Sequence, residues 1–316
     1  MSGEDYQEGR SVTFDQQTIV NQEDYGVVQY VFKEDYQNEH SSTNEYARHP
    51  LDTVQEEIMN KNNIKILSCS ARNHMYGLSH GLEIYKLTHN YNGTIGQEHV
   101  PSGGILFKDI SVARDGTLFA VGQDDSLLYK YSGEQQFSLV VDDIVELKSI
   151  SALSKRKIYA IGQDNTVLFL KIKRIGKSKF ENLGAKLKCV SAGGKRLGQT
   201  EIWGIGINDN EAYRYYNGQW VSYQARLIAI SVADDNAVYG ISMDGKLVKW
   251  SGDQLFTIYH ENGNNELRLN SVAAYKDKVG VVAIHQVTKK VIKIEFSLNF
   301  NYNTGRKQLL LLYRPV

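Results

Sequence analysis

Tyr76, Phe119, Tyr159, Trp203 and Tyr239 are aromatic residues each followed directly by a glycine or an alanine. A flat ring beside a residue with no bulk suits two kinds of contact. It can stack on the apolar face of a sugar ring in a shallow groove, or it can bury a large area where two sheets meet. Both readings stay open for these positions. As candidate ligand-binding residues the five are joined by Trp220 and Trp250, and the three tryptophans are the leading candidates for stacking.

Catalytic chemistry finds no comparable pattern. The eight histidines include no HExxH pair and no regular metal-ligand spacing, so no metal and no catalytic residue is expected. Gly204 and Gly206 belong to no dinucleotide or phosphate loop, and no cofactor is expected. Cys69 and Cys189 are the only cysteines, too few for a disulfide framework; they read as small buried residues. The chain is therefore read as binding something rather than as an enzyme.

The elements that must position the aromatics are written as a repeat. Phe107-Lys108-Asp109-Ile110-Ser111 recurs as Leu147–Ser151, Leu187–Ser191, Leu227–Ser231 and, in this reading, Leu267–Ser271, with the serines 40 residues apart. Ile64–Ser68 is an earlier copy, which makes six. In four copies the aromatic stands eight residues after the serine; Trp203 comes four residues late, and the sixth copy has Val279 there. Turn pairs such as Asp115-Gly116, Asp164-Asn165 and Asp244-Gly245 separate short apolar runs, as tight hairpins require. No proline occurs between residues 102 and 314, which favours unbroken strand ladders. A sheet of three or four short strands cannot bury both faces alone. A ring of six such sheets can, so the pattern predicts an all-β, six-bladed β-propeller of about 40-residue repeats.

The unit Leu-Lys-x-Ile-Ser, then Asp-Gly, then aromatic-Gly/Ala, then Tyr-Lys/Arg-Tyr/Trp with a closing Gly and Trp or Phe, resembles the tectonin β-propeller repeat. Ile110–Phe137, Val190–Trp220 and Ile230–Phe256 carry it best, within a span of about residues 63–296. The tryptophan usual in the second strand of that family survives here only as Trp203. No Trp-Asp end marks a WD repeat, and Kelch units run longer. The resemblance implies a recognition role. Relatives bind sugars on microbial or cell surfaces at several sites per ring, and others are domains of larger intracellular proteins. Glycans or glycosylated surfaces are thus the expected partners, with a protein-binding scaffold as the alternative.

The charge is unevenly spread. Residues 1–60 hold thirteen Asp/Glu against three Lys/Arg, while the rest carries a net +10. This sets an acidic N-terminal extension, residues 1–62, apart from a body over 63–316. Within the extension, Val27–Phe32 reads as a strand and Pro50–Asn60 as a short helix capped by Asp52 or Thr53. At the other terminus, the apolar segment Gln308–Arg314 is the candidate outer strand of the last unit, with Val27–Phe32 its competitor. Basic clusters at Lys155–Lys157, Lys171–Lys179 and Lys289–Lys293 are solvated turns or an attraction to anionic glycans or headgroups; no specific nucleic-acid partner is expected. No secretory signal and no membrane span is legible, so the expectation is a soluble protein, cytoplasmic or released without a conventional signal peptide.

Overall fold

The computed structural model describes residues 14–17, 27–32, 57–58, 63–70, 74–89, 95–133, 136–141, 144–194, 200–233, 237–250, 255–257, 268–274, 280–287, 291–301 and 306–312. Every regular element among them is a β-strand, and every pairing is antiparallel. Three strands come from the N-terminal segment: β1 (Phe14–Gln17), β2 (Val27–Phe32) and β3 (Glu57–Ile58). The first repeat unit then comprises β4 (Ile64–Cys69), β5 (Met75–Ser79), β6 (Ile84–His89) and β7 (Ile95–His99). The second is β8 (Phe107–Val112), β9 (Leu118–Gly122), β10 (Leu128–Tyr131) and β11 (Phe137–Leu139).

The third unit is β12 (Leu147–Ser154), β13 (Lys157–Gly162), β14 (Thr166–Lys171) and the first half of β15 (Phe180–Gly193). The fourth takes the second half of β15, β16 (Glu201–Gly206), β17 (Glu211–Tyr216) and the start of β18 (Gln219–Val232). The fifth takes the rest of β18, then β19 (Val238–Ser242), β20 (Leu247–Trp250) and β21 (Leu255–Thr257). The sixth is β22 (Leu269–Ala274), β23 (Gly280–His285) and β24 (Val291–Asn301), and β25 (Arg306–Leu312) follows.

The second strand of each unit shows why these sequences are so apolar. Met75–Ser79 and Leu118–Gly122 are buried at every position. A strand covered on both faces by neighbouring sheets loses the in-out alternation of a half-exposed one. Strands β15 and β18 pass from the outer edge of one unit to the inner edge of the next. Each does so through a register shift that holds a positive-φ residue, Gly184 at 78° and Gln224 at 55°. A bulge that bends the strand is what lets one strand serve two sheets.

The first strands of the six units form a closed ring: β4 touches β8, then β12, β15, β18 and β22, and β22 touches β4. Two hydrogen bonds recur at the junctions. The repeat serine accepts an N–H from the next unit: Ser68 from Val112, Ser111 from Ala152, Ser151 from Ala192, Ser191 from Val232 and Ser231 from Ala274, all at 2.8–3.0 Å. The second bond comes from the hairpin turn between a unit's second and third strands. The carbonyls of Leu82, Ser126, Asn165, Asn210 and Gly245 accept from Phe107, Leu147, Leu187, Leu227 and Leu269. All five turn residues have positive φ, which aims the carbonyl across the junction. These turns and the starts of the inner strands therefore share one end of the ring, termed the near end below. The turns between first and second strands, and between third and fourth, lie at the far end.

Three sequence expectations change. In the sixth unit the inner strand is registered on Leu269, not Leu267: Leu269 and Ser271 face His285 and Ile284 across a bulge, as Leu227 and Ala229 face Ser242 and Ile241. Ala273 then stands at the serine position, so this bond cannot run from the sixth unit to the first. The seam is closed instead by apolar packing of Ile64, Cys69 and Met75 against Val282, Ile284 and Val291. The helix read at Pro50–Asn60 is not found at Glu57–Ile58, which form strand β3 on Val291 and Ile292; the rest of that segment lies outside the described residues. A strand on the open edge of β24 satisfies ladder groups that a helix would leave unpaired. Finally, Gln308–Arg314 and Val27–Phe32 do not compete. β25 pairs with the later half of β24, β2 with β25, and β1 with β2.

Candidate functional site

The expected stacking rings lie at the junctions between units, on strands that the ring covers from both sides. Trp203 and Phe119 are 0% exposed, Tyr239 1%, Tyr159 6% and Tyr76 8%. A ring so covered presents no face to a ligand in this conformation. Its faces are occupied by protein: Trp203 lies 5.1 Å from both Tyr223 and Trp250, and Tyr159 stacks on Phe169 at 4.9 Å. The small residue after each aromatic answers to the same crowding. A Cβ on Gly240 would stand 2.9 Å from Leu227 Cδ1, and one on Gly204 2.7 Å from the carbonyl of Cys189.

Trp220 and Trp250 differ, because they sit on outer and third strands and are only half-buried. Trp220 donates its indole N–H to the Leu183 carbonyl at 3.1 Å and lies 5.1 Å from Tyr215. Trp250 packs edge-on against Tyr223 at 4.6 Å. A polar group borders this second cluster. Arg214 pairs with both carboxylate oxygens of Glu201, at 2.7 and 2.9 Å, and its guanidinium lies 5.9 Å from the Trp203 ring and 5.3 Å from that of Tyr216. Trp203 donates its indole N–H to the same carboxylate at 3.3 Å. The fourth–fifth junction thus combines half-buried aromatic edges with an oriented acid–guanidinium pair, the donors and faces a polar ring ligand needs.

A second concavity, which the repeat motif did not point to, lies on the axis. About 270 Å³ is enclosed by the six inner strands, and one repeat position lines it with Asp109, Ser149, Cys189, Ala229 and Ser271. Asp109 is buried and accepts the Ile150 N–H at 2.7 Å. Burial pushes its carboxyl up to about 7, against the backbone N–H bonds that favour the charged form. Burial likewise pushes the Cys189 thiol up to about 11, leaving it an unreactive thiol at neutral pH. The Ser149 hydroxyl is buried with no hydrogen-bond partner among the described residues. The signal was present in the sequence as the variable third residue of Leu-Lys-x-Ile-Ser. Nothing local says that this residue points to the axis.

Such a ring of antiparallel sheets defines a β-propeller. Two solved structures are similar in fold: the β-propeller domain of Cps50 (Swd1) from Myceliophteria thermophila, and a catalytically inactive virginiamycin B lyase from Staphylococcus aureus with quinupristin. The first is 7% identical, covering 76% of this chain and 98% of that one, with a TM-score of 0.52. The second is 11% identical, covering 90% and 99%, with a TM-score of 0.50. Residues 146–287 match the family model of the tectonin domain, so the repeats within that span are of the tectonin type. Comparison with curated proteins finds no match.

Proposed function

We propose that this protein is a non-catalytic recognition module, a six-bladed tectonin-type propeller over residues 63–316 behind an acidic extension over 1–62, which binds carbohydrate through grooves between blades. The observation that carries the reading is the fourth–fifth junction. There Trp250 is half-buried beside Tyr223, with the Arg214–Glu201 pair at its border. Trp220 supplies a comparable half-buried indole at the third–fourth junction. Each such site would be weak, and repetition around the ring supplies avidity. A glycan array probed with the full chain tests this. Neutral, acidic or methylated glycans should bind, and Trp250→Ala and Trp220→Ala should each weaken the signal. Silence across all three glycan classes sinks the proposal.

A protein-binding scaffold is the second reading, favoured by one further observation. Leu106, Ile144, Ile207, Met243 and Val287 are exposed, and all lie in connections at the near end. An apolar rim on one end of a disc suits a protein face. Ile144→Ser with Met243→Ser should abolish partner capture on this reading and leave any glycan signal unchanged.

A further inference from the structure

We propose that the far end of the third unit binds an anionic lipid membrane. Eight cations, Lys155, Arg156, Lys157, Lys171, Lys173, Arg174, Lys177 and Lys179, fall in two stretches of the sequence, and the only carboxylate between Lys155 and Phe180 is Asp164. The fold joins the two stretches and removes the carboxylate. Lys155 and Arg156 form the turn between β12 and β13, and residues 172–179 connect β14 to β15, so both are at the far end. Ile172 donates its N–H to the Arg156 carbonyl at 2.8 Å, and Lys157 is the register partner of Lys171. Asp164 sits in the β13–β14 turn, at the near end, paired with Lys186. None of the eight cations is paired with a carboxylate among the described residues. Like charges directly opposite across a strand pair destabilise a sheet. Stability therefore does not explain Lys157 facing Lys171.

The loop also carries an apolar tip. Ile172 turns inward: like Val140, Val141 and Phe180, it is partly buried against the core between the second and third units. Ile175, three residues on, is 92% exposed between Arg174 and Gly176, whose φ of +87° turns the chain at the tip. Ser178 holds the loop closed by accepting the Lys173 N–H at 2.9 Å. Beneath it lies a concavity of about 230 Å³ with Val140, Val141 and Ile172 as an apolar floor and Lys173, Lys177 and Ser178 as a cationic and hydroxyl rim.

A polyanionic glycan would use the cations and give no reason for a protruding isoleucine. A membrane uses both, since the headgroup phosphates meet the lysines while Ile175 enters the acyl boundary. The surface is distinct from the aromatic grooves, so it stands whether or not glycans bind there.

The test is flotation of the full chain with vesicles of phosphatidylcholine alone and of phosphatidylcholine with phosphatidylserine, beside retention on immobilised heparin. Capture by the serine-containing vesicles only, weakened by salt, is expected. Lys173→Glu/Arg174→Glu/Lys177→Glu should reduce it on the order of a hundredfold, at about 1 kcal/mol for each basic residue near an anionic surface. Ile175→Ser leaves the charge intact and should cost about tenfold, from the apolar burial it loses. Both changes are on the surface, and an unchanged thermal midpoint checks that the variants fold. No capture by either vesicle, capture that ignores Ile175→Ser, or retention on heparin without vesicle binding would each overturn the proposal.

Discussion

The hydroxyl of Ser151 accepts the backbone N–H of Ala192 at 2.9 Å, and the two residues are 41 positions apart in the chain. Both belong to inner strands, and the bond crosses from the third unit to the fourth. The same bond is made at four other junctions, so the repeat serine joins two sheets through its hydroxyl while its backbone stays in the ladder of its own sheet. Replacing it removes the acceptor and leaves a buried N–H without one. Ser151→Ala should therefore destabilise by about 1–3 kcal/mol, read as a lower urea midpoint with an unchanged slope. An unaltered midpoint would show that the bond carries no weight.

Asp109 should make stability fall as pH rises through neutrality. Its folded carboxyl titrates near 7 against an ordinary 3.8. Between those values the folded state holds a proton that the unfolded state has released, so the penalty is absent below pH 4 and complete above pH 7. It amounts to on the order of 4 kcal/mol at the upper limit. Asp109→Asn keeps an oxygen for the Ile150 N–H and abolishes the titration. The variant should gain on the natural chain between pH 5 and pH 8 in parallel urea melts, and a constant difference refutes the assignment. The turn carboxylates Asp164, Asp209 and Asp244 are held below their ordinary range, by Thr166, Tyr213 and Ser242 respectively. Their contribution runs the other way, lost as pH falls, and is small in water.

Gly193 should not tolerate a methyl group. A Cβ there would lie 2.5 Å from the Ala233 carbonyl and 2.7 Å from that of Val232, backbone atoms of the next unit that cannot swing away. Gly193→Ala is expected to cost about 1–3 kcal/mol from overpacking. Gly81→Ala serves as the control, since its nearest neighbour, Ser79 Oγ, is 3.5 Å off. Equal thermal midpoints for the two variants would contradict the close approach.

Trp203 and Trp250 should separate in a stability assay although their rings touch. Trp203 is fully covered, so Trp203→Ala leaves a cavity between two sheets and should cost about 3–5 kcal/mol. Trp250→Ala removes a half-exposed ring and should cost clearly less. If Trp250→Ala proves as damaging, that indole belongs to the core and is removed from the candidate groove.

The period, the strands and the turns of this protein were legible because each depends on neighbours in the chain. Asp164-Asn165 makes its hairpin with residues a few positions away, and an aromatic followed by glycine or alanine sits at the same step in four of the units. The resemblance to tectonin repeats came from that same local grammar. What faces what was decided only by the tertiary structure. Whether Tyr76 or Trp203 offers its ring to a ligand depends on a sheet some 40 residues further on covering it, and the sheets do cover them. Asp109 looked like one more variable residue until six inner strands converged on it. Ala273 reads as an ordinary strand residue until the bulge after Leu269 sets the register and shows which joint is missing. Lys155–Lys157 and Lys171–Lys179 become one surface because an antiparallel pair returns the chain to the end it left. Local sequence fixes conformation through short-range sterics and hydrogen bonding, whereas burial and shared surfaces are properties of distant segments brought together.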